Sequence, residues 1–275
     1  MSGLAYHLVV NALEGASGWT PRSRFASSVA HAINGFLPYS RYIAAGRTRQ
    51  RERAGEGEIE GLVRDWMATD LNPAVQMVRT VNQLAKAVHA YNTFNANAGL
   101  AVRTTVSSVG PRSANDSQSV TKRDLLATDE DPAPCRIGTL MVLDSLISTV
   151  QRNEREHLVP KIFSLVDIAC YLGVVASAAG EVALVFEREG YIPVSDVARK
   201  LGCHQRTLER RLREEGLTAE ALRTATRLIR ATSRLRSTES LTTIAMDEGF
   251  ADQAHMSRAF RASCGMSPSI IRSLA

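Results

Sequence analysis

Aromatic side chains are scarce in this 275-residue chain, where Phe, Tyr and Trp together make up 5%. The interior must therefore be filled mainly by Leu, Val, Ile and Ala. The cysteines Cys135, Cys170, Cys203 and Cys264 lie far apart and form no C-x-x-C pair. That excludes a zinc ribbon and a disulfide framework, and it fits a reduced, cytoplasmic protein. Cys203 and Cys264 read as small helix-packing residues rather than redox sensors. No Lys or Arg precedes Arg22, so the basic start of a secretory signal is missing. The most apolar stretch, Ile162 to Ala179, carries Asp167 in its middle. It falls short of the roughly 20 residues that cross a bilayer. A buried helix is expected there, and no membrane partner.

Catalytic patterns are missing as well. Paired carboxylates, a Ser/His/Asp set, a glycine-rich phosphate loop and metal-ligand spacings do not occur at useful separations. His7, His31, His89 and His157 stand isolated, and Glu181, Glu187 and Glu189 fall on one exposed helix face. The expectation is a protein that is no enzyme, with no catalytic residues, metal site or cofactor.

What the chain does have is positive charge of one kind. Its net charge is +5, and nearly all its cations are arginine, whose planar fork matches phosphate and guanine edges. Hydrophobic residues make up 44% and charged residues 22%, an ordinary globular balance with room for two domains.

Residues 1–179 read as a predominantly helical domain with at most a small sheet. A helix is expected from Arg22 to Leu37, ending before Pro38. Residues 46–61 mix both charge signs with three glycines and suggest a solvated loop or frayed helix, in which Arg47-x-x-x-Arg51 is a chance spacing. Asn72 can cap a long helix that Pro73 opens and that runs to Ala98. Its apolar stripe (Val75, Val78, Val81, Leu84, Ala85, Val88, Tyr91) either packs in the core or pairs with a second subunit. Residues 100–109 suit a strand, and 110–136 a long loop. Further helices follow, one around Ile137 to Val150 and one from Ile162 to Ala179.

From Gly180 the texture changes. The remaining residues, 180–275, contain two segments of one build: a short helix, a glycine turn, and a helix rich in basic and amide residues. In the first, 193–216, Val194, Val197, Ala198 and Leu201 share one helical face, Gly202 makes the turn, and Leu208 and Leu212 point inward. Gln205, Arg206, Glu209, Arg210 and Arg213 then face out, where a helix can enter a major groove. In the second, 240–264, Ser240 caps a helix with Leu241, Ile244 and Ala245 inward, and Gly249-Phe250 turns the chain. Asp252 caps a helix with Met256, Ala259 and Phe260 inward. Gln253, Ala254, Ser257, Arg258 and Arg261 face out. Between them, 219–236 is one amphipathic helix about 27 Å long, with Arg223, Arg227, Arg230, Arg234 and Arg236 on its polar side. That approaches the roughly 34 Å between successive major-groove faces. Arg227 is expected on phosphates.

The text DVARKLGCHQRTLERRLREEGLT is similar to the first helix-turn-helix of AraC/XylS-type regulators. IAMDEGFADQAHMSRAFRASCGMSPSIIR resembles their second, with its Gly-Phe turn, Ser-Arg-Ala-Phe core and Gly-x-Ser-Pro ending. The resemblance covers about a third of the chain. It implies a bacterial regulator that binds double-stranded DNA, with base contacts at Arg206, Glu209 and Arg210 and at Gln253, Ala254, Ser257 and Arg258. Departures are Met256, Cys264 and Ile271, where aromatics are common, and Pro193, where a capping Ser or Thr is usual. Ala254 cannot hydrogen-bond a base. Residues 1–179 do not resemble the β-rich sensor many such regulators carry. They are assigned to dimerisation through 73–98, to an unknown effector, or to a partner such as RNA polymerase or another regulator. The competing reading is a protein-interaction co-regulator or anti-activator with weak DNA binding.

Overall fold

A computed structural model describes residues 3–15, 18–113, 116–156 and 161–274. Among them are 15 helices and two two-stranded sheets. It begins with β1 (Leu4–Tyr6), α1 (His7–Glu14), α2 (Pro21–Ile33) and β2 (Phe36–Pro38), and β1 pairs antiparallel with β2. Then come α3 (Tyr39–Glu52), α4 (Glu56–Ala68), α5 (Pro73–Thr80) and α6 (Leu84–Asn97). The hairpin β3 (Val102–Ser113) and β4 (Asp116–Leu125) leads to α7 (Ala133–Arg155). By length and composition α7 could cross a membrane. Here it is a core helix, with Val142, Leu143, Leu146, Ile147 and Val150 buried. After α8 (Leu165–Tyr171) and α9 (Ala178–Glu189), the chain continues through α10 (Val194–Lys200), α11 (Gln205–Glu214) and α12 (Ala219–Arg234). It closes with α13 (Leu241–Asp247), α14 (Gln253–Cys264) and α15 (Pro268–Leu274).

Five segments differ from the sequence reading. The expected helix from Arg22 to Leu37 stops at Ile33, and Phe36–Pro38 is instead strand β2, paired with Leu4–Tyr6. The expected helix 72–98 is two helices. Thr80 turns its hydroxyl back onto the Met77 carbonyl and Val81 is extended, which ends α5. Asn72 does cap it, accepting from the Ala74 N–H at 3.0 Å, and its apolar residues are buried within the chain. The stretch 162–179 is also divided. Gly173 takes a φ of 69°, and Val174 N–H donates to Ala169 O at 2.8 Å, a glycine-terminated helix end. In the expected loop 110–136, residues 110–113 and 116–125 belong to the hairpin, with Val102, Thr104 and Val106 alternating inward, and 133–136 open α7; residues 114 and 115 lie outside the described residues. Residues 46–61 are helical on both sides of Arg53, which has a left-handed φ of 56°. Arg49 is buried there and donates to Leu13 O at 2.7 Å.

Two core clusters hold the molecule together, and both draw on both ends of the chain. One packs Phe25, Val29, Ala32 and Leu71 with Phe186, Val197, Leu208, Leu212 and Leu222. The other continues from α1, α5 and α7 to Ile244, Phe250, Met256 and Phe260. The contact is tight at Gly35, where a Cβ would lie 2.5 Å from the Asn72 amide nitrogen and from the Ser263 carbonyl oxygen. Asn72 Nδ2 donates to Ser263 O and to His31 O, both at 2.8 Å. Ser263 O also accepts from Gly35 N–H at 2.9 Å.

Two histidines read as isolated are neighbours. The rings of His7 and His31 stack at 4.2 Å, and His7 Nε2 lies 3.2 Å from Asp70 Oδ2, with both groups almost fully buried. His157 lies outside the described residues. Burial, reinforced by His7, pushes the His31 imidazole down from 6.5 to about 3. The unfolded chain therefore binds this proton across a window in which the folded chain does not. Stability should fall as pH drops from 6.5 toward 3, by at most about 1.4 kcal/mol per pH unit for this one group. Urea unfolding followed across that range should show a shallower decline in His31→Gln than in the parent protein.

Candidate nucleic-acid interface

Each of the two helical pairs in residues 193–264 is set by a glycine turn. Gly202 (φ 66°) separates α10 from α11, and Gly249 (φ 73°) ends the turn after α13. Gly249 is needed on two counts, because a Cβ there would also sit 3.0 Å from Tyr191 and 3.2 Å from the Arg227 Nε. Phe250 follows and is buried between the helices. Ser240 caps α13 and Asp252 caps α14, accepting from Thr243 N–H at 3.0 Å and His255 N–H at 2.5 Å. Pro193 precedes α10 with no side-chain cap. The aromatic-poor positions keep apolar packing, with Met256, Cys264 and Ile271 all buried. Burial pushes the Cys264 thiol up to about 12, so it packs rather than reacts.

Helix α11 buries Leu208 and Leu212, and its Gln205, Arg206, Arg210 and Arg213 are exposed, with Glu209 half-buried. Helix α14 buries Met256 and Phe260, and its Gln253, Ala254, Arg258 and Arg261 are exposed, with Ser257 half-buried. All ten side chains thus lie on the outer faces of these two helices. Glu209 accepts from Gln205 Nε2 at 2.7 Å, and Arg210 pairs with Glu214 at 2.9 Å. Among the described residues, Arg206, Arg213, Arg258 and Arg261 form no intramolecular ion pair. Their charge is available to an anion outside the chain.

The arginines of α12 are used differently. Arg230 Nε and Arg234 Nη1 donate to Glu248 at 2.9 and 3.0 Å, and the Tyr191 hydroxyl donates to the same carboxylate at 2.7 Å. Glu248 is 2% exposed and lies at the end of α13. Burial first, and then this carboxylate, pushes the Tyr191 phenol well above its ordinary range. Arg227 stacks on the Tyr191 ring at 5.3 Å, and Arg223 donates to the Ile192 carbonyl at 3.0 Å. The sequence reading placed Arg227 on phosphates. It is instead half-buried on Tyr191, with its Nε shielded from solvent. Four arginines of α12 thereby bind the loop before α10, α12 itself and the turn after α13 into one unit. Glu215 adds to this at the other end of the first pair, accepting from the Ala178 and Ala179 N–H groups at 2.9 and 3.0 Å and capping α9. Sequence reasoning missed Tyr191, Glu215 and Glu248, and their partners lie too far along the chain for a local pattern to reveal them.

Residues 197–273 match the family model described as a helix-turn-helix domain. This segment is an AraC-type helix-turn-helix domain. The match supports DNA binding by this segment. Among solved structures the chain is similar to the transcriptional regulator CdpR from Pseudomonas aeruginosa. Identity is 17% over 86% of this chain and 92% of that one, and the TM-score of 0.34 is too low to bear on the fold. No curated protein matches the sequence.

The AraC-type domain therefore carries two kinds of arginine, and they should respond differently to truncation. Arg227→Ala removes a stacking contact and should lower stability by about 1 kcal/mol while leaving the salt dependence of DNA binding unchanged. Glu248→Ala leaves Arg230 and the Tyr191 hydroxyl without their acceptor, while Arg234 keeps Glu239 and Asp247, and should cost roughly 1–2 kcal/mol because Arg230 stays partly solvated. Urea titrations and the slope of log K against log salt check both. A slope that falls by about one unit in Arg227→Ala would return that residue to the phosphate backbone.

Proposed function

We propose that α11 and α14 are the two recognition helices of a sequence-specific regulator, entering the major groove on successive faces of one side of a duplex. The observation that carries this is the sorting of arginines. Those on the outer faces of α11 and α14 are largely unpaired, and those on the intervening helix are held by carboxylates and rings. Helix α12 has 16 residues, about 24 Å of axial rise. Such a strut suits readers spaced by about one helical turn of DNA, roughly 34 Å. Arg206, Glu209 and Arg210 in the first helix, and Gln253, Ala254, Ser257 and Arg258 in the second, are the base-reading positions. Gln205, Arg213 and Arg261 flank them toward the phosphates. Ala254 supports only apolar contact, such as a thymine methyl.

Residues 1–179 serve this reader as a regulatory half that takes an effector or a protein partner. The apolar side chains of α5 are buried within the chain, so pairing of two copies through 73–98 falls to the outward face of α6. That face carries Lys86, His89 and Asn97.

The test is selection from a random duplex library with the full chain, since α2 and Leu71 complete the core of the first helical pair. Enrichment of a bipartite motif with half-sites about one turn apart is the expected result. No enrichment at modest salt would favour the co-regulator reading instead. On the selected duplex, Arg210→Ala should weaken binding by about 1–3 kcal/mol and relax preference at one base position. An equal loss on random duplex would make Arg210 a phosphate contact.

A further inference from the structure

A cavity of about 80 Å³ lies among β1, α5, α6, β3 and α7. In a chain with only six tyrosines and seven phenylalanines, Tyr6, Tyr39, Tyr42, Tyr91 and Phe94 all line it. Val75 and Val78 of α5 and Val142 and Leu146 of α7 supply aliphatic walls.

The polar groups gather on one side and form a directed chain. Arg123 Nη2 donates to the Tyr42 hydroxyl oxygen at 3.3 Å, and Thr139 Oγ1 donates to the Cys135 carbonyl at 2.9 Å. The Tyr42 hydroxyl lies 3.1 Å from the Thr139 hydroxyl, whose own proton goes to Cys135 O, and 3.5 Å from Asp131 Oδ1, so the Tyr42 proton is taken by one of these two acceptors. With these protons committed, what Tyr42 and Thr139 can still offer is an acceptor lone pair each. The Arg123 charge is matched by Asp131, with Nε–Oδ2 at 2.9 Å and Nη2–Oδ1 at 3.0 Å, both side chains nearly buried. The Arg123 charge is therefore neutralised on this side, where Tyr42 and Thr139 accept rather than donate.

We propose that this cavity binds a small, neutral, single-ring aromatic molecule carrying one hydrogen-bond donor. The ring lies among the tyrosines and valines, and the donor reaches the Tyr42 and Thr139 oxygens. An anionic ring such as a carboxylate is rejected, because it brings acceptors to acceptors in a site whose one cation is already paired.

The same cavity is built to report on its occupant. It is smaller than the roughly 150 Å³ that takes benzene in a dry engineered cavity. A ring can enter only by displacing a wall. Helix α5 is one such wall, and its capping Asn72 donates to Ser263 O at the end of α14. Filling the cavity moves the second recognition helix, a step that rests on the reading of α14 as a DNA reader. The binding step does not depend on that reading.

The test uses the full chain with phenol, anisole and benzoate as probes, titrated calorimetrically. Phenol should bind at one per chain, about tenfold more tightly than anisole or benzoate, the worth of one buried hydrogen bond. Tyr42→Phe and Thr139→Val should each erase most of that preference while leaving anisole affinity in place. Val142→Trp should remove binding of all three; should that variant fail to fold, the two polar variants decide alone. Equal affinity for the three probes, or a phenol preference untouched by Tyr42→Phe, overturns the site. Anisotropy with the selected duplex reads the coupling. Saturating phenol should change the DNA dissociation constant by about threefold or more, and Asn72→Asp, which keeps the α5 cap but loses the donor, should abolish the change. Phenol binding without any shift in DNA affinity overturns the coupling. Failure of the unliganded chain to bind any duplex counts against the DNA reading, and the calorimetry still judges the cavity.

Discussion

The carbonyl oxygen of Ser263 accepts two hydrogen bonds, one from Gly35 N–H and one from the Asn72 side chain, and the placement of α14 depends on that pair. A helix leaves its last four carbonyls without intrahelical donors. In α14 one of these is satisfied by the other half of the molecule, beneath a buried roof. The Ser263 hydroxyl adds a third link by donating to Ala32 O at 2.6 Å. Asn72 cannot be exchanged for an apolar residue without orphaning the His31 carbonyl, worth roughly 1–3 kcal/mol when unmet, and leaving Ser263 O to Gly35 N–H alone. Gly35 cannot take a side chain without colliding with both partners. The end of α14 is thus a socket, with its geometry dictated by residues more than 190 positions earlier.

Electrostatics then decides which arginines reach outward. A guanidinium near a buried carboxylate is captured, because leaving that carboxylate unpaired costs more than the desolvation of the cation. Glu248 is nearly buried and draws in Arg230 and Arg234. Tyr191 offers its hydroxyl to the same carboxylate and its ring face to Arg227. On α11 and α14 the carboxylates are few and solvated, and of the five outward arginines (Arg206, Arg210, Arg213, Arg258 and Arg261) Arg210 alone is paired among the described residues, with Glu214. An exposed pair of that kind is worth well under 1 kcal/mol. It can give way to a phosphate or a guanine edge. The pattern of free and captured charge follows from burial of the acids, not from the count of bases.

Residues 193–264 were legible in the sequence because their information is local. Apolar spacing at i, i+3 and i+4, a glycine that tolerates positive φ, and Ser240 and Asp252 as caps place four helices and the outward faces of two. The ends of α12 and the burial of Leu208, Leu212, Met256 and Phe260 follow from the same periodicity. What was not legible is non-local. His7, His31 and Asp70 meet across tens of residues, and nothing near each one signals the others. The strand β4 carries Lys122 and Arg123 where an alternating apolar pattern would be sought, and Arg123 turns inward only because Asp131 and Thr104 receive it. Helix α5 looked continuous with α6 because Val81 extends the stripe; the break is made by Thr80 and by the separate seats the two helices take on the core.

The scarcity of aromatic residues acquires a structural meaning once their positions are known. A core of Leu, Val, Ile and Ala fills space closely, so large rings are not needed for packing. Four of the six tyrosines nevertheless gather on one wall with Phe94, and Phe94 stacks on Phe36. Phe36 in turn lies 3.3 Å from where a Cβ would sit on Gly265, the left-handed residue that ends α14. Rings are stiff and transmit displacement without absorbing it in rotamer changes, whereas aliphatic side chains yield. The aromatic wall therefore reaches the end of α14 by two routes, through Phe36 to Gly265 and through α5 and Asn72 to Ser263. Both routes end within the last turn of α14 and fix the position of that end. Under the proposed reading of α14 its tilt and position both matter, since a bidentate base contact has a fixed geometry.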